Sequence, residues 1–145
     1  MKAVIQRVKQ ACVQVSGETV GRIGPGLLVY LGIGKGDSKK DAAFIADKLA
    51  GLRIFEDDQG KMNRDLISIG GEVLLISNFT LYGNCRKGRR PGFDAAEVPE
   101  KANGLYEMVC SLVEKADINV KKGVFGKHMH VSSINDGPVT FVLES

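Results

Sequence analysis

Three groups of residues in this chain have types and spacings that could do chemistry. The first is Ser77-Asn78-Phe79-Thr80, at the end of the apolar run Val73–Ile76. Two hydroxyls and an amide at a strand end can hydrogen-bond a substrate carbonyl or ester. Thr80 is also a candidate nucleophile, but a nucleophilic hydroxyl needs an adjacent base, and none is evident. Read structurally, the same residues are the polar edge of a core strand, with hydroxyls satisfied inside the fold. The second group is Arg86, Lys87, Arg89 and Arg90, four cations within five residues. Phosphate is the ligand such a cluster takes, and a solvated loop is the competing reading. No aromatic residue interleaves the cluster, so a bound RNA would be held by backbone and end, not read base by base. The third group is His128 and His130, the only two histidines. On a strand they share a face, which suits a metal, yet no third ligand is apparent. A partly exposed pair is the simpler reading, and a metal-dependent hydrolase stays as one alternative.

A further stretch, Asn135-Asp136-Gly137-Pro138-Val139-Thr140, has no reactive group but unusual backbone chemistry. Gly137 has no Cβ, and Pro138 fixes φ and lacks an N–H. The bond between them is the likeliest cis peptide of the chain. The corner presents carbonyl oxygens without a neighbouring donor at Pro138. By composition alone it is a hairpin turn between Met129–Ile134 and Val139–Leu143.

The elements that must position these groups follow from periodicity. Met1–Val8, Cys12–Ser16 and Thr19–Ile23 read as strands, with a tight turn at Gly17-Glu18. Leu27–Ile33 and Glu72–Tyr82 begin as continuous apolar runs, the mark of buried central strands. Ser38 or Asp37 caps a helix over Lys39–Leu52, with Ala42, Ile45, Leu49 and Leu52 on one face. Arg53–Phe55 is a short strand, followed by a turn at Asp57–Gly60; those aspartates lack the further ligands of a calcium loop. Pro99 opens a second helix to about Asp117, with Leu105, Met108, Val109, Leu112 and Val113 inward. The expected fold is α+β: a single domain over residues 1–145, with a mostly antiparallel curved sheet or β-barrel-like core and two helices.

Composition narrows the classes. The chain has 145 residues, 43% hydrophobic and 26% charged, with a net charge of +3, all ordinary for a globular domain. That net charge does not by itself announce nucleic acid. The three cysteines, Cys12, Cys85 and Cys110, are far apart and form no CxxC, so neither a disulfide framework nor a zinc site is indicated. A reducing cytoplasm fits. The charged N-terminal stretch does not read as a signal peptide, and no apolar run approaches the roughly 20 residues of a membrane span.

With these residues in view, the chain resembles the D-aminoacyl-tRNA deacylases, also called D-tyrosyl-tRNA deacylases. The likeness spans nearly the whole sequence. It includes Ile5-Gln6-Arg7-Val8, Gly26-Leu27-Leu28-Val29, Arg53-Ile54-Phe55 and Gly60-Lys61-Met62-Asn63. Two signature motifs carry it: Ser-Gln-Phe-Thr-Leu, here Ser77-Asn78-Phe79-Thr80-Leu81, and Asn-Xaa-Gly-Pro-Val-Thr, matched in full at Asn135–Thr140. The resemblance implies a barrel-like homodimer that hydrolyses the ester joining a D-amino acid to the 3′ end of tRNA. It implies no metal and no cofactor, no membrane and no DNA partner. It implies a cis Gly137-Pro138 motif that reaches into the other subunit's site, holds the substrate amino group and excludes L-amino acids. Glycine mischarged on tRNA(Ala) would pass the same test. Thr80 is then the catalytic residue. Ser77, Asn78, Phe79, Gly137, Pro138, Val139, Thr140, Arg7 and Met129 bind substrate, Arg7 by steadying the motif. Arg86, Lys87, Arg89 and Arg90 meet tRNA phosphates. Asn78 stands where the family has Gln, one methylene longer. Thr80 either forms an acyl-enzyme or only positions the ester while a ribose hydroxyl helps activate water. The lack of a base favours the second form.

Overall fold

The computed structural model describes residues 1–86 and 88–145. Lys87, one of the four expected phosphate contacts, lies outside them. The chain opens with a long strand, β1 (Lys2–Val15), and folds back through β2 (Glu18–Ile23) and β3 (Gly26–Gly32). Pairs such as Ala11 with Ile23, Val8 with Gly26 and Lys2 with Gly32 keep one register, so β2 and β3 cover one edge of β1 in succession. The turn between β1 and β2 is Ser16-Gly17, one residue earlier than expected. Both residues have positive φ, the signature of a two-residue turn that matches strand twist.

Helix α1 (Lys39–Gly51) follows, capped by Ser38 and Asp41 in a reciprocal box. It buries Ala42, Ile45, Ala46 and Leu49. A short hairpin, β4 (Phe55–Glu56) with β5 (Met62–Arg64), precedes β6 (Glu72–Ser77); the strand expected at Arg53–Phe55 begins two residues later. Helix α2 (Pro99–Glu114) starts at the expected proline and stops three residues before Asp117. It buries Leu105, Val109 and Val113 as expected, and also Tyr106 and Cys110, whose polarity hid them from the apolar pattern. β7 (Asn119–Lys122) and β8 (His130–Glu144) complete the chain.

Four of the six strand pairings among the described residues are antiparallel, but β6 runs parallel to both β3 and β7. Reading the strands as hairpins did not anticipate this. Helices α1 and α2 lie in the connections that return the chain for parallel pairing, as such pairing requires. Both faces of β3 and β6 are covered, which is why their sequences are continuous apolar runs rather than alternating ones. Leu27, Val29, Leu31, Val73 and Leu75 face a core built with the two helices. Leu28, Leu74 and Ile76 face a second core with Val8, Ala11, Val13 and Ile23. The sheet curls around this second core until β2 approaches β7: a Cβ placed on Gly21 would stand 3.1 Å from the Lys122 carbonyl oxygen. The result is a nearly closed, barrel-like mixed sheet with two helices against one face.

The Gly-Pro corner is not a hairpin turn. β8 pairs antiparallel with β1 on both sides of it, Ile134 with Gln10 and Thr140 with Gln6. The chain therefore never reverses direction. Between these pairs β1 advances four residues and β8 six, so two residues are extruded as a bulge. The turn-forming composition of Asn135–Pro138 is real, but the ladder to β1 outweighs it on either side.

Candidate active site

The end of β6 builds the site. Beyond Ser77 the strand cannot continue, because Asn78 turns the chain into a short 3-10 helix, Phe79–Tyr82. The Asn78 backbone N–H still donates to the Leu31 carbonyl at 2.9 Å, keeping the turn fastened to β3. Its side-chain Oδ1 accepts from the Thr80 N–H at 3.2 Å and from the Thr80 hydroxyl at 2.5 Å. Local side chain-to-backbone bonding of this kind is what makes Asn a turn and cap residue.

Beside this turn lies a cavity of about 720 Å³. It takes in Ser77, Asn78, Phe79 and Thr80 from the turn, and Met129 from the segment before β8. These are five of the ten catalytic and substrate-binding residues expected from sequence, and the fold brings them together. Tyr30, Phe125 and Glu97 line it too, and sequence reading missed all three. Glu97 carried no motif, and only the crossing of residues 95–97 over the end of β3 places it there: Lys35 N–H donates to the Ala95 carbonyl, and Glu97 N–H to the Ile33 carbonyl. Met129 settles over Gly123, where a Cβ would stand 2.5 Å from its Sδ.

No general base attends Thr80 among the described residues. Its hydroxyl proton goes to a neutral amide oxygen, and no ionisable group accepts it. Burial raises the Tyr30 phenol above its ordinary value, so it is neutral at physiological pH. Glu97 is held ionised by Lys101, 2.6 Å away, and by the Val98 N–H. No cysteine lines the cavity, and burial pushes the Cys110 thiol up to about 12. His128 lines the cavity, with its ring 5.1 Å from that of His130. Among the described residues no three His, Cys, Asp or Glu side chains converge to hold a metal.

The other expected site residues lie elsewhere on the chain. Gly137, Pro138, Val139, Thr140 and Arg7 do not line the cavity. The Gly137–Pro138 peptide bond is cis, and both residues are exposed. Gly137 has φ +135°, and a Cβ there would stand 2.6 Å from Val139 Cγ2, so no other residue fits without a shift. Asn135 clamps the bulge: its Oδ1 accepts from the Val139 N–H at 3.0 Å, and its Nδ2 donates to the Val139 carbonyl at 3.2 Å. Arg7 supports it from β1. Only 4% exposed, its guanidinium donates to the Asp136 carbonyl at 3.1 Å, the Ile54 carbonyl at 2.8 Å and Glu56 at 3.3 Å. A planar fork with five donors is suited to holding three acceptors at once.

Arg86, Arg89 and Arg90 are exposed on a loop closed at its base by a reciprocal Asn84–Gly92 backbone pair. Phe93, just past the loop, meets Phe79 edge-on with ring centroids 5.0 Å apart. The basic loop is thereby tied to the turn that bears Thr80.

The geometry agrees with what comparison with other proteins finds. A family model described as D-Tyr-tRNA(Tyr) deacylase matches residues 4–144. The chain belongs to the D-aminoacyl-tRNA deacylase family. Family members named for this activity are hydrolases acting on ester bonds. The D-aminoacyl-tRNA deacylase of Thermosipho africanus is 53% identical over 145 residues, covering 100% of this chain and 97% of that protein. The one from Geobacter sulfurreducens is also 53% identical, with 95% of its length covered. Among solved structures, a c-Myc DNA unwinding element binding protein superposes with a TM-score of 0.93 at 40% identity, covering 100% of this chain and 99% of that one. A probable eukaryotic D-amino acid tRNA deacylase superposes at 0.83 with 18% identity, over 99% and 98% of the two chains, a likeness of fold.

Proposed function

We propose that this chain hydrolyses the ester of D-aminoacyl-tRNA, D-tyrosyl-tRNA included, releasing the free D-amino acid and tRNA in the cytoplasm. The observation that carries this reading is the placement of Thr80, its hydroxyl proton held by Asn78, in a 720 Å³ cavity within a chain of this family. A hydroxyl without a base is a poor nucleophile. Thr80 therefore positions the ester, and a hydroxyl of the terminal ribose helps activate water. Water adds to the carbonyl carbon, the bond to the ribose oxygen breaks, and that oxygen takes up the proton. The Phe79 N–H, which donates to no acceptor among the described residues, steadies the developing oxyanion. The Thr80 N–H is already committed to Asn78, which leaves the Phe79 N–H for this role.

The active unit is a homodimer. The exposed Gly137-Pro138 bulge stands away from its own chain's cavity, and in the dimer it enters the partner subunit's cavity beside the catalytic threonine there. Its backbone carbonyls receive the substrate amino group, and its wall leaves no room for the side chain of an L-amino acid. Glycine has no side chain to exclude, so glycine mischarged on tRNA(Ala) is a second substrate. Arg86, Lys87, Arg89 and Arg90 meet the phosphates of the acceptor end.

The test is release of label from D-tyrosyl-tRNA and L-tyrosyl-tRNA. Rapid loss from the D form alone is expected. Equal background loss from both would leave an RNA-binding module without catalysis. Thr80→Ala should keep reduced but measurable turnover; an acyl-threonine adduct trapped on the unaltered protein would refute the positioning role.

A further inference from the structure

The bond between Asn78 and Thr80 fixes which way a proton points. Asn78 Oδ1 faces two groups, the Thr80 N–H at 3.2 Å and Thr80 Oγ1 at 2.5 Å. A backbone N–H can only donate, so the atom facing it must be the amide oxygen and not the amide nitrogen. The hydroxyl 2.5 Å from that same oxygen must then be a donor as well. Thr80 has one hydroxyl hydrogen, and Asn78 takes it. What Thr80 shows to the cavity is two lone pairs and no proton.

From this we infer that Asn78 is a positioning residue that holds Thr80 as a hydrogen-bond acceptor. The inference rests on the proposed deacylase reading. Thr80 Oγ1 cannot donate to the ester carbonyl while Asn78 holds its proton. It receives an O–H instead, from a ribose hydroxyl or from the attacking water. Accepting that hydrogen orients the donor's oxygen and makes it more nucleophilic, without Thr80 changing its own protonation. Asn suits the task because of its length. Its Oδ1 closes a short ring onto the N–H two residues ahead, and a side chain one methylene longer cannot close the same ring. Asn at this position thus has a geometric use in this chain.

A double-mutant cycle read with D-tyrosyl-tRNA tests it. In Asn78→Ala the hydroxyl rotates freely, and kcat should fall about tenfold, the worth of one hydrogen bond, with KM little changed. Asn78→Asp keeps an acceptor oxygen in place and should restore kcat to within about threefold of the unaltered protein. In the Thr80→Ala background, Asn78→Ala should cost nothing more, because Asn78 acts through Thr80. Losses that multiply in the double variant would mean Asn78 contacts substrate or merely supports the turn, and would overturn the inference. So would an Asn78→Asp variant as slow as Asn78→Ala. Should Asn78→Ala fail to fold, the same cycle run with Asn78→Asp and Asn78→Leu separates the same outcomes. No turnover by the unaltered protein would overturn the deacylase reading, and this inference with it; turnover with multiplying losses would overturn this inference alone.

Discussion

Arg7 shows how much one side chain can hold in place. Its three acceptors belong to three segments: Ile54 before β4, Glu56 in β4, and Asp136 in the β8 bulge. Lys9 adds a weaker ion pair to Asp136 at 3.8 Å from an exposed position. Removing the guanidinium leaves the Ile54 carbonyl buried without its donor, and an orphaned buried acceptor costs more than the bond contributed. Arg7→Leu should destabilise the protein by about 2–4 kcal/mol. Hydrogen exchange at the Val139 N–H should quicken while amides of β3 stay protected. An unchanged denaturation midpoint would show that Arg7 is incidental to the bulge. Thr80 is the opposite kind of residue. It is exposed and its hydroxyl bonds only within its own turn, to Asn78, so its replacement should change rate far more than stability.

At the scale of elements, the site depends on where β6 stops being apolar. Val73–Ile76 are buried on both faces of the sheet, and Ser77 and Asn78 emerge at its rim. The turn bearing Thr80 is therefore anchored by a strand buried along its middle and paired on both edges. Leu74 is central to this anchorage, fully buried in the core enclosed by the curled sheet. Leu74→Ala should cost about 2–5 kcal/mol in a core this enclosed. The melting midpoint should then fall by roughly 4–15 °C for a chain of this size, which a thermal scan would measure. A loss below about 1 kcal/mol would mean the interior can collapse onto the gap. The bulge in β8 is positioned by the same logic. Both flanking ladders to β1 are intact, so two extruded residues are presented by rigid strands and not by a free loop.

At the scale of the molecule, positive charge gathers on one loop beside the turn bearing Thr80. The net charge of +3 is small, yet three arginines stand exposed on one loop joined to the turn bearing Thr80 through Phe79 and Phe93. If that loop meets phosphates, neutralising Arg89 and Arg90 should weaken tRNA binding and lower the slope of log affinity against log salt by about 1.4–1.8. Filter binding over a salt series measures both. An unchanged slope would return the loop to a solvated surface. For the assembly, a dimer is required if the bulge of one subunit completes the cavity of another, since no bulge residue reaches the cavity of its own chain.

Much of this was legible in the residues themselves. Continuous apolar runs marked β3 and β6, because strands covered on both faces have no polar side to alternate with. Ser38 and Pro99 marked the helix starts, because unpaired N–H groups there demand a cap or a residue with none. The first motif marked residues of the cavity, because Ser77–Thr80 combines polar groups with a turn that a core strand has no use for, whereas Asn135–Thr140 lies outside it. The tertiary structure alone decided the rest. Parallel pairing of β6 with β3 and β7 depends on contacts between residues far apart in sequence. The Gly137-Pro138 corner has the composition of a turn, and only the ladder to β1 makes it a bulge. Glu97 enters the cavity through a crossing that no local pattern encodes. The direction of the Thr80 proton was equally hidden, since it follows from two distances to one oxygen atom of Asn78.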